Sequence, residues 1–294
     1  MDFTELLQAV SRAFQQRDYA QFKALTDQFM SGAQGDDYCM ALCLQVDWFM
    51  LNDLRHAAQG FVLVNEALQQ ASSPATRLNV LTSALGLCYM CSDVERARPY
   101  EEDACRLLWE HAGDPAVRAR RHRLQLNLGQ ITSLRGDHAT AYWHFAQAVN
   151  SLAGPDVSEA ERQRVESPIQ VSVAIACLRV RRYYEAQEAL DMAEQSATKE
   201  LHRLVAGVWR MELLRQLGRL GEAQQIVTAI EAGVRDCDDP GLRGRYYLHA
   251  ALAAQDSGEL PRFHQLLAVA HSEAMENHHD YLLSEIQRYQ RSPL

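Results

Sequence analysis

The stretch from Leu126 to Ala148 leaves the chain few choices of fold. It places Leu128-Gly129 near the end of one apolar-periodic segment, a break at Gly136-Asp137, then Ala141, Phe145 and Ala148 at spacings of four and three. Residues three and four apart share one face of an α-helix. The order therefore predicts two antiparallel helices that cross closely, with small side chains at the crossing. Six other segments repeat the order in weaker form, their second helices opening near Tyr19, Leu54, Glu95, Tyr183, Leu220 and Leu260. From Ala57 onward the equivalent positions are Ala97, Ala141, Ala186, Ala223 and Phe263, at successive distances of 40, 44, 45, 37 and 40 residues. One such unit cannot bury its apolar face alone, whereas a stack of them buries a continuous core.

Helix starts recur with the same period. Ser73-Pro74, Asp114-Pro115 and Asp239-Pro240 each set a capping side chain before a proline at the first helical position, which supplies an acceptor to free amides and wastes no donor. Gly136, Gly218 and Gly258 fall where a residue with positive φ stops a first helix. No run of alternating β-branched and polar residues is long enough for a strand. The chain is expected to be all-α, with seven helical hairpins near 1–32, 36–71, 74–112, 115–152, 158–197, 199–236 and 240–277 and a capping helix at 279–290 that uses Tyr281, Leu282, Ile286 and Tyr289. One domain over 1–294 is expected, and 154–168 is its least regular zone. There Gly154-Pro155 ends a helix, and Pro168 either kinks a long first helix or lies by a hinge.

The Leu128-Gly129, Gly136, Ala141, Phe145, Ala148 signature resembles the tetratricopeptide repeat, and the likeness extends over essentially the whole chain. The family's usual period is about 34 residues; the longer unit here is similar to the relaxed repeats of bacterial regulatory proteins. The resemblance implies a right-handed superhelical solenoid whose first helices line a concave groove. Placed on that template, the early repeats turn Cys39, Cys43, Val46, Met50, Ser83, Leu87 and Cys91 inward, and the later ones Arg123, Asn127, Gln130, Arg179, Trp209, Glu212, Arg215, Gln216, Arg245, His249 and Asp256. Arginine forks grip carboxylates and asparagine pairs with peptide amides. The implied function is a non-catalytic scaffold for a protein or peptide, its groove centred on Arg123, Asn127, Gln130, Arg179, Trp209, Glu212, Arg215, Arg245 and His249. The alternative is a sensory or regulatory module that binds a signal peptide or small ligand and changes superhelical shape. The lysine and asparagine pattern of the family's carboxylate clamp is not reproduced.

Composition narrows the partners. A formal net charge of −9 and a pI near 5.7 disfavour direct nucleic-acid binding. No apolar run approaches the roughly 20 residues of a membrane helix. The opening Met1-Asp2-Phe3-Thr4-Glu5 is unlike a secretory signal, and seven scattered cysteines suit a reducing compartment, so the expected location is cytoplasmic. Cys39 and Cys43 together with Cys88 and Cys91 would make a zinc site if their helices met, but their apolar neighbours favour core thiols. His264, His271, His278 and His279 lack the spacing of a catalytic zinc motif. The Arg118, Arg120, Arg121, His122, Arg123 cluster spreads around a helical turn and is expected to form salt bridges. With no phosphate loop, nucleophile elbow or motif-borne carboxylate pair, neither a cofactor nor catalysis is expected. Apolar residues at the array ends would allow a homodimer.

Overall fold

Among the described residues, five breaks between helices close with one hydrogen-bond pattern. At Gly136 the amide donates to the Ser133 carbonyl and the Asp137 amide to Thr132, at 3.0 and 3.2 Å. The same two bonds recur at Ser92/Asp93, Arg181/Arg182, Gly218/Arg219 and Gly258/Glu259. This is the Schellman closure, in which a left-handed residue satisfies carbonyls that the helix end would otherwise orphan. Glycine supplies positive φ at 136, 218 and 258, while Ser92 (φ 54°) and Arg181 (φ 61°) adopt it with a side chain. At three helix starts a capping oxygen accepts from the first turn: Ser73 from the Thr76 amide, Asp114 from Ala116 and Asp239 from Leu242, each preceding a proline.

The computed structural model describes residues 2–16, 18–52, 54–237, 239–277 and 279–291. Among them are sixteen α-helices and one short 3-10 turn, Leu54–His56, and no strand. The helices gather into two compact units, Met1–Asp137 with Ala153–Val157, and His138–Leu152 with Ser158–Leu294.

The first unit holds α1 (Phe3–Gln16), α2 (Tyr19–Met30), α3 (Gly35–Asn52), α4 (Ala57–Gln70), α5 (Pro74–Met90), α6 (Val94–Glu110), α7 (Pro115–Arg118) and α8 (Arg121–Leu134). The first helices α3, α5 and α8 are neighbours, and α4 and α6 pack against them. Leu42, Leu78, Leu81, Leu85, Leu124 and Ile131 form the core between the layers. Phe22 stacks on Trp48 at a ring separation of 4.7 Å toward the N-terminal end.

The second unit holds α9 (His138–Leu152), α10 (Glu159–Arg179), α11 (Tyr183–Gln195), α12 (Glu200–Gln216), α13 (Leu220–Arg235), α14 (Pro240–Asp256), α15 (Leu260–Glu276) and α16 (Asp280–Arg291). Here α10, α12, α14 and α16 succeed one another as neighbours, with α11, α13 and α15 as the second layer. The small residues sit at the crossings: Ala186 and Ala223 are fully buried, as are Ala97 and Ala141 on α6 and α9.

One local feature differs from the expected long first helices. The fourth repeat's first helix is split, with α7 ending at Arg118 and α8 starting at Arg121. The arginines explain the step: Arg118 turns to Asp156 and the Gly113 carbonyl, at 2.7 Å each, and Arg120 reaches back to the Ala116 carbonyl at 2.7 Å. Pro168, by contrast, lies inside a single helix that runs from Glu159 to Arg179. Ser158 caps its start, and Ile169 and Ala174, both fully buried, anchor it on the C-terminal side of the proline. No helix among the described residues is long and apolar enough to cross a membrane.

Candidate functional site

In the first unit Arg123, Asn127 and Gln130 rise along α8 at spacings of four and three, all half-buried. The Asn127 amide is engaged by the protein itself, donating from Nδ2 to the Thr82 carbonyl of α5 at 2.7 Å. The sulfurs of Cys39, Cys43 and Cys88 lie in the core. Cys39 Sγ donates to the Ala67 carbonyl at 3.3 Å. Burial pushes the Cys43 and Cys88 thiols up to about 12, which keeps them protonated and poor metal ligands. Among the described residues no three His, Cys, Asp or Glu side chains are grouped to hold a metal ion. His278 lies outside the described residues.

In the second unit the later set converges. Trp209, Glu212 and Arg215 rise along α12, Arg245 and His249 along α14, and Arg179 ends α10. Glu212, a buried carboxylate, accepts from Arg215 Nε and Nη2 at 2.9 Å each and faces His249 Nδ1 at 3.1 Å. Arg215 also donates to Asp256 at 2.8 Å. The indole of Trp209 meets the His249 ring edge-on at 5.1 Å, and the Arg245 guanidinium lies over the same indole at 5.1 Å. Burial opposes the ionised form of Glu212, yet hydrogen bonds and charge from His249 and Arg215 outweigh it and hold the carboxyl below the usual range.

One member of this cluster was not among the expected groove residues. Glu285 of α16 receives Arg179 Nη2 at 3.0 Å and faces Arg245 Nη1 at 3.5 Å, with its side chain only 11% exposed. Burial raises its pKa; the charges of Arg245 and Arg179 then His249 carry it below the ordinary value. The sequence holds a signal for it. Leu282, Glu285, Ile286 and Tyr289 share one helix face by their spacing, so an acid stands on the apolar face of α16, and a buried charge demands a partner. The arginines expected to grip a partner's carboxylates thus hold carboxylates of the chain itself: Arg179 and Arg245 hold Glu285, and Arg215 holds Glu212 and Asp256.

Antiparallel helix pairs in two layers, closed by a repeating turn, define an all-α helical-repeat fold. Solved structures share this fold. PilF of Pseudomonas aeruginosa is similar over 80% of this chain and 93% of its own, at 15% identity and a TM-score of 0.54. RapI in its apo form is similar over 87% and 72%, at 12% identity and a TM-score of 0.59. A tetratricopeptide repeat protein from Parabacteroides merdae is similar over 97% and 98%, at 11% identity and a TM-score of 0.57. No protein-family model matches the chain, and no curated protein matches it in sequence. At these identities the likeness carries the fold.

Proposed function

We propose that this chain is a partner-binding scaffold that takes a protein or peptide on the faces of its first helices and carries out no chemistry of its own. The observation behind this reading is the convergence of Arg179, Arg215 and Arg245 beside Trp209 in one unit, with side chains 33%, 19% and 22% exposed. Arg179 and Arg245 offer about ten N–H donors to the roughly four acceptor positions of a single carboxylate. The cluster is therefore rich in directional donors for carbonyls and carboxylates beyond its own, and arginine and tryptophan are the side chains most often decisive in protein interfaces. Arg123 and Gln130, half-buried on α8, give the first unit a polar first-helix face of its own.

The test is to place a photo-cross-linking amino acid at Arg123, Gln130 or Arg245, and as controls at Val62 and Tyr184, which are 63% and 74% exposed on second helices. Irradiation in cells of the source organism should give a shared cross-linked partner from the first-helix positions and none from the controls. Equal labelling from both layers would sink the assignment.

A further inference from the structure

The arginines at the step between α7 and α8 are not all neutralised within the chain. Arg118 forms the expected salt bridge, with Asp156 at 2.7 Å. Arg120 and Arg121 form none. Arg120 donates from Nη1 to the Ala116 carbonyl at 2.7 Å, and among the described residues no carboxylate pairs with either guanidinium. Arg121 Nε is buried and finds no acceptor. Burial lowers the pKa of Arg120 from its ordinary value, the charge of Arg123 lowers it further, and Asp114 offsets only part of this. Both Arg120 and Arg121 are half-buried, where an unmatched charge costs more than it does in open solvent.

Elsewhere acids cover the half-buried arginines of this chain: Glu101 meets Arg135, Asp191 and Glu194 meet Arg210, and Glu273 meets Arg243. A chain of net charge −9 holds an excess of carboxylates, yet none reaches Arg120 or Arg121. The backbone adds to the imbalance. Arg120 is the N-cap residue of α8, no side chain caps that helix, and its first turn holds no acid. A helix start is the positive end of the macrodipole, where anions are favoured and cations are not. Uncompensated guanidiniums, an orphaned N–H and a helix start therefore coincide between Arg120 and Arg123.

We propose that Arg120 and Arg121, with Arg123 beside them, form a binding site for the phosphate group of a phosphomonoester. Two guanidiniums without a counter-charge call for two negative charges. A carboxylate brings one, whereas a phosphomonoester carries close to two at pH 7 and presents three strong acceptor oxygens. Guanidinium forks match such oxygens in pairs, and the Arg121 Nε–H and the start of α8 add further donors. Neighbouring residues leave a helix about 100° apart, an angle that two long arginine stems can close around one anion. The site belongs to the first unit and does not depend on what the second unit binds, so it goes beyond the scaffold reading.

The probes are N-acetyl-phosphoserine amide and a hexose monophosphate, each titrated by calorimetry into the full-length chain in phosphate-free buffer. The N-acetyl amides of serine and glutamate are the controls. At least one phosphate probe should bind, and neither control should. R120A/R121A should lose affinity by about tenfold or more, as expected for lost hydrogen bonds to a charged group. R12A/K23A removes two exposed cations from α1 and α2 and should bind as wild type does. R120K/R121K guards against a folding defect, because it keeps both charges and loses the planar forks; its affinity should fall between those of wild type and R120A/R121A. The two sources of phosphate separate in the same titrations. A phosphoserine probe that binds about tenfold tighter than the sugar phosphate points to a phosphorylated protein segment, and equal or tighter binding of the sugar phosphate points to a small metabolite. Three results would overturn the site: no heat from either phosphate probe, a glutamate control that binds as tightly as phosphoserine, or equal affinity in wild type and R120A/R121A.

Discussion

Asn127, one of the expected groove residues, is also bonded within the chain. Its Nδ2 group donates to the Thr82 carbonyl of α5 at 2.7 Å, joining two first helices of the first unit. Asn127→Ala should cost about 1 kcal/mol, the net worth of one such bond. Asn127→Asp should cost more, about 1–3 kcal/mol, because an acceptor would face an acceptor. Urea unfolding midpoints of the two variants check the order, and a harmless Asp would contradict the bond. Asp36 is a second clasp in this unit. Its Oδ1 accepts from the Ser72 amide at 2.8 Å, the Ser72 hydroxyl at 3.0 Å and the Ser73 amide at 3.2 Å. Burial works against its charge, and the bonds from Ser73 and Ser72 overcome it, bringing the carboxyl down to about 2. The folded value lies below the unfolded one of about 3.9, so the stabilisation is fully present above that pH and is lost as pH falls through the folded value. Asp36→Asn should lower the melting temperature at pH 7 and flatten its decline between pH ~4 and about 2. An unchanged acid slope would show that the clasp carries no linkage.

At the scale of the element, the hairpin turns are the best-written part of the sequence. Gly136, Gly218 and Gly258 mark directly three of the five Schellman closures among the described residues. Ser92 and Arg181 close the other two in the same left-handed conformation without glycine, and no local signal announces them. There the surrounding helices impose the turn, since Ala97 and Ala186, both fully buried, fix the second helix on the first. A non-glycine residue with positive φ carries a steric cost of about 1–2 kcal/mol. Arg181→Gly and Ser92→Gly should therefore each stabilise the protein by about 1 kcal/mol, and Gly218→Ala should destabilise it by a similar amount. Thermal melts decide this, and a glycine that destabilises at 181 would mean that Arg181 contributes more through its side chain than its backbone costs. The same division explains the helix starts. Ser73-Pro74, Asp114-Pro115 and Asp239-Pro240 are local and legible. The split between α7 and α8 depends on Arg118 finding Asp156, 38 residues away, which periodicity does not register.

At the scale of the whole molecule, the layered all-α architecture is legible because every repeat restates it, whereas the pairing of the cationic wall is not. Which carboxylate meets Arg179 depends on how successive repeats bring α10 and α16 together, and that is a property of accumulated packing. The consequence can be measured as acid sensitivity. Glu212 and Glu285 are both buried, and both are held below the ordinary carboxylate value by the cations beside them: Glu212 by His249 and Arg215, Glu285 by Arg245 and Arg179. Their unfolded value is about 4.3. Above it the unfolded chain is ionised as well, and the full stabilisation stands. Below it the unfolded chain takes up protons that the folded state refuses, so stability falls with pH. The melting temperature, followed by circular dichroism, should accordingly drop steeply from pH ~5 to 3. In Glu212→Gln/Glu285→Gln the melt at pH 7 should already be lower, since removing one side of a buried pair costs about 3–5 kcal/mol, and the further drop on acidification should be smaller than in wild type. A double variant that keeps the wild-type acid slope would show that these two carboxylates do not govern it, and that the cluster is held together by its apolar contacts instead.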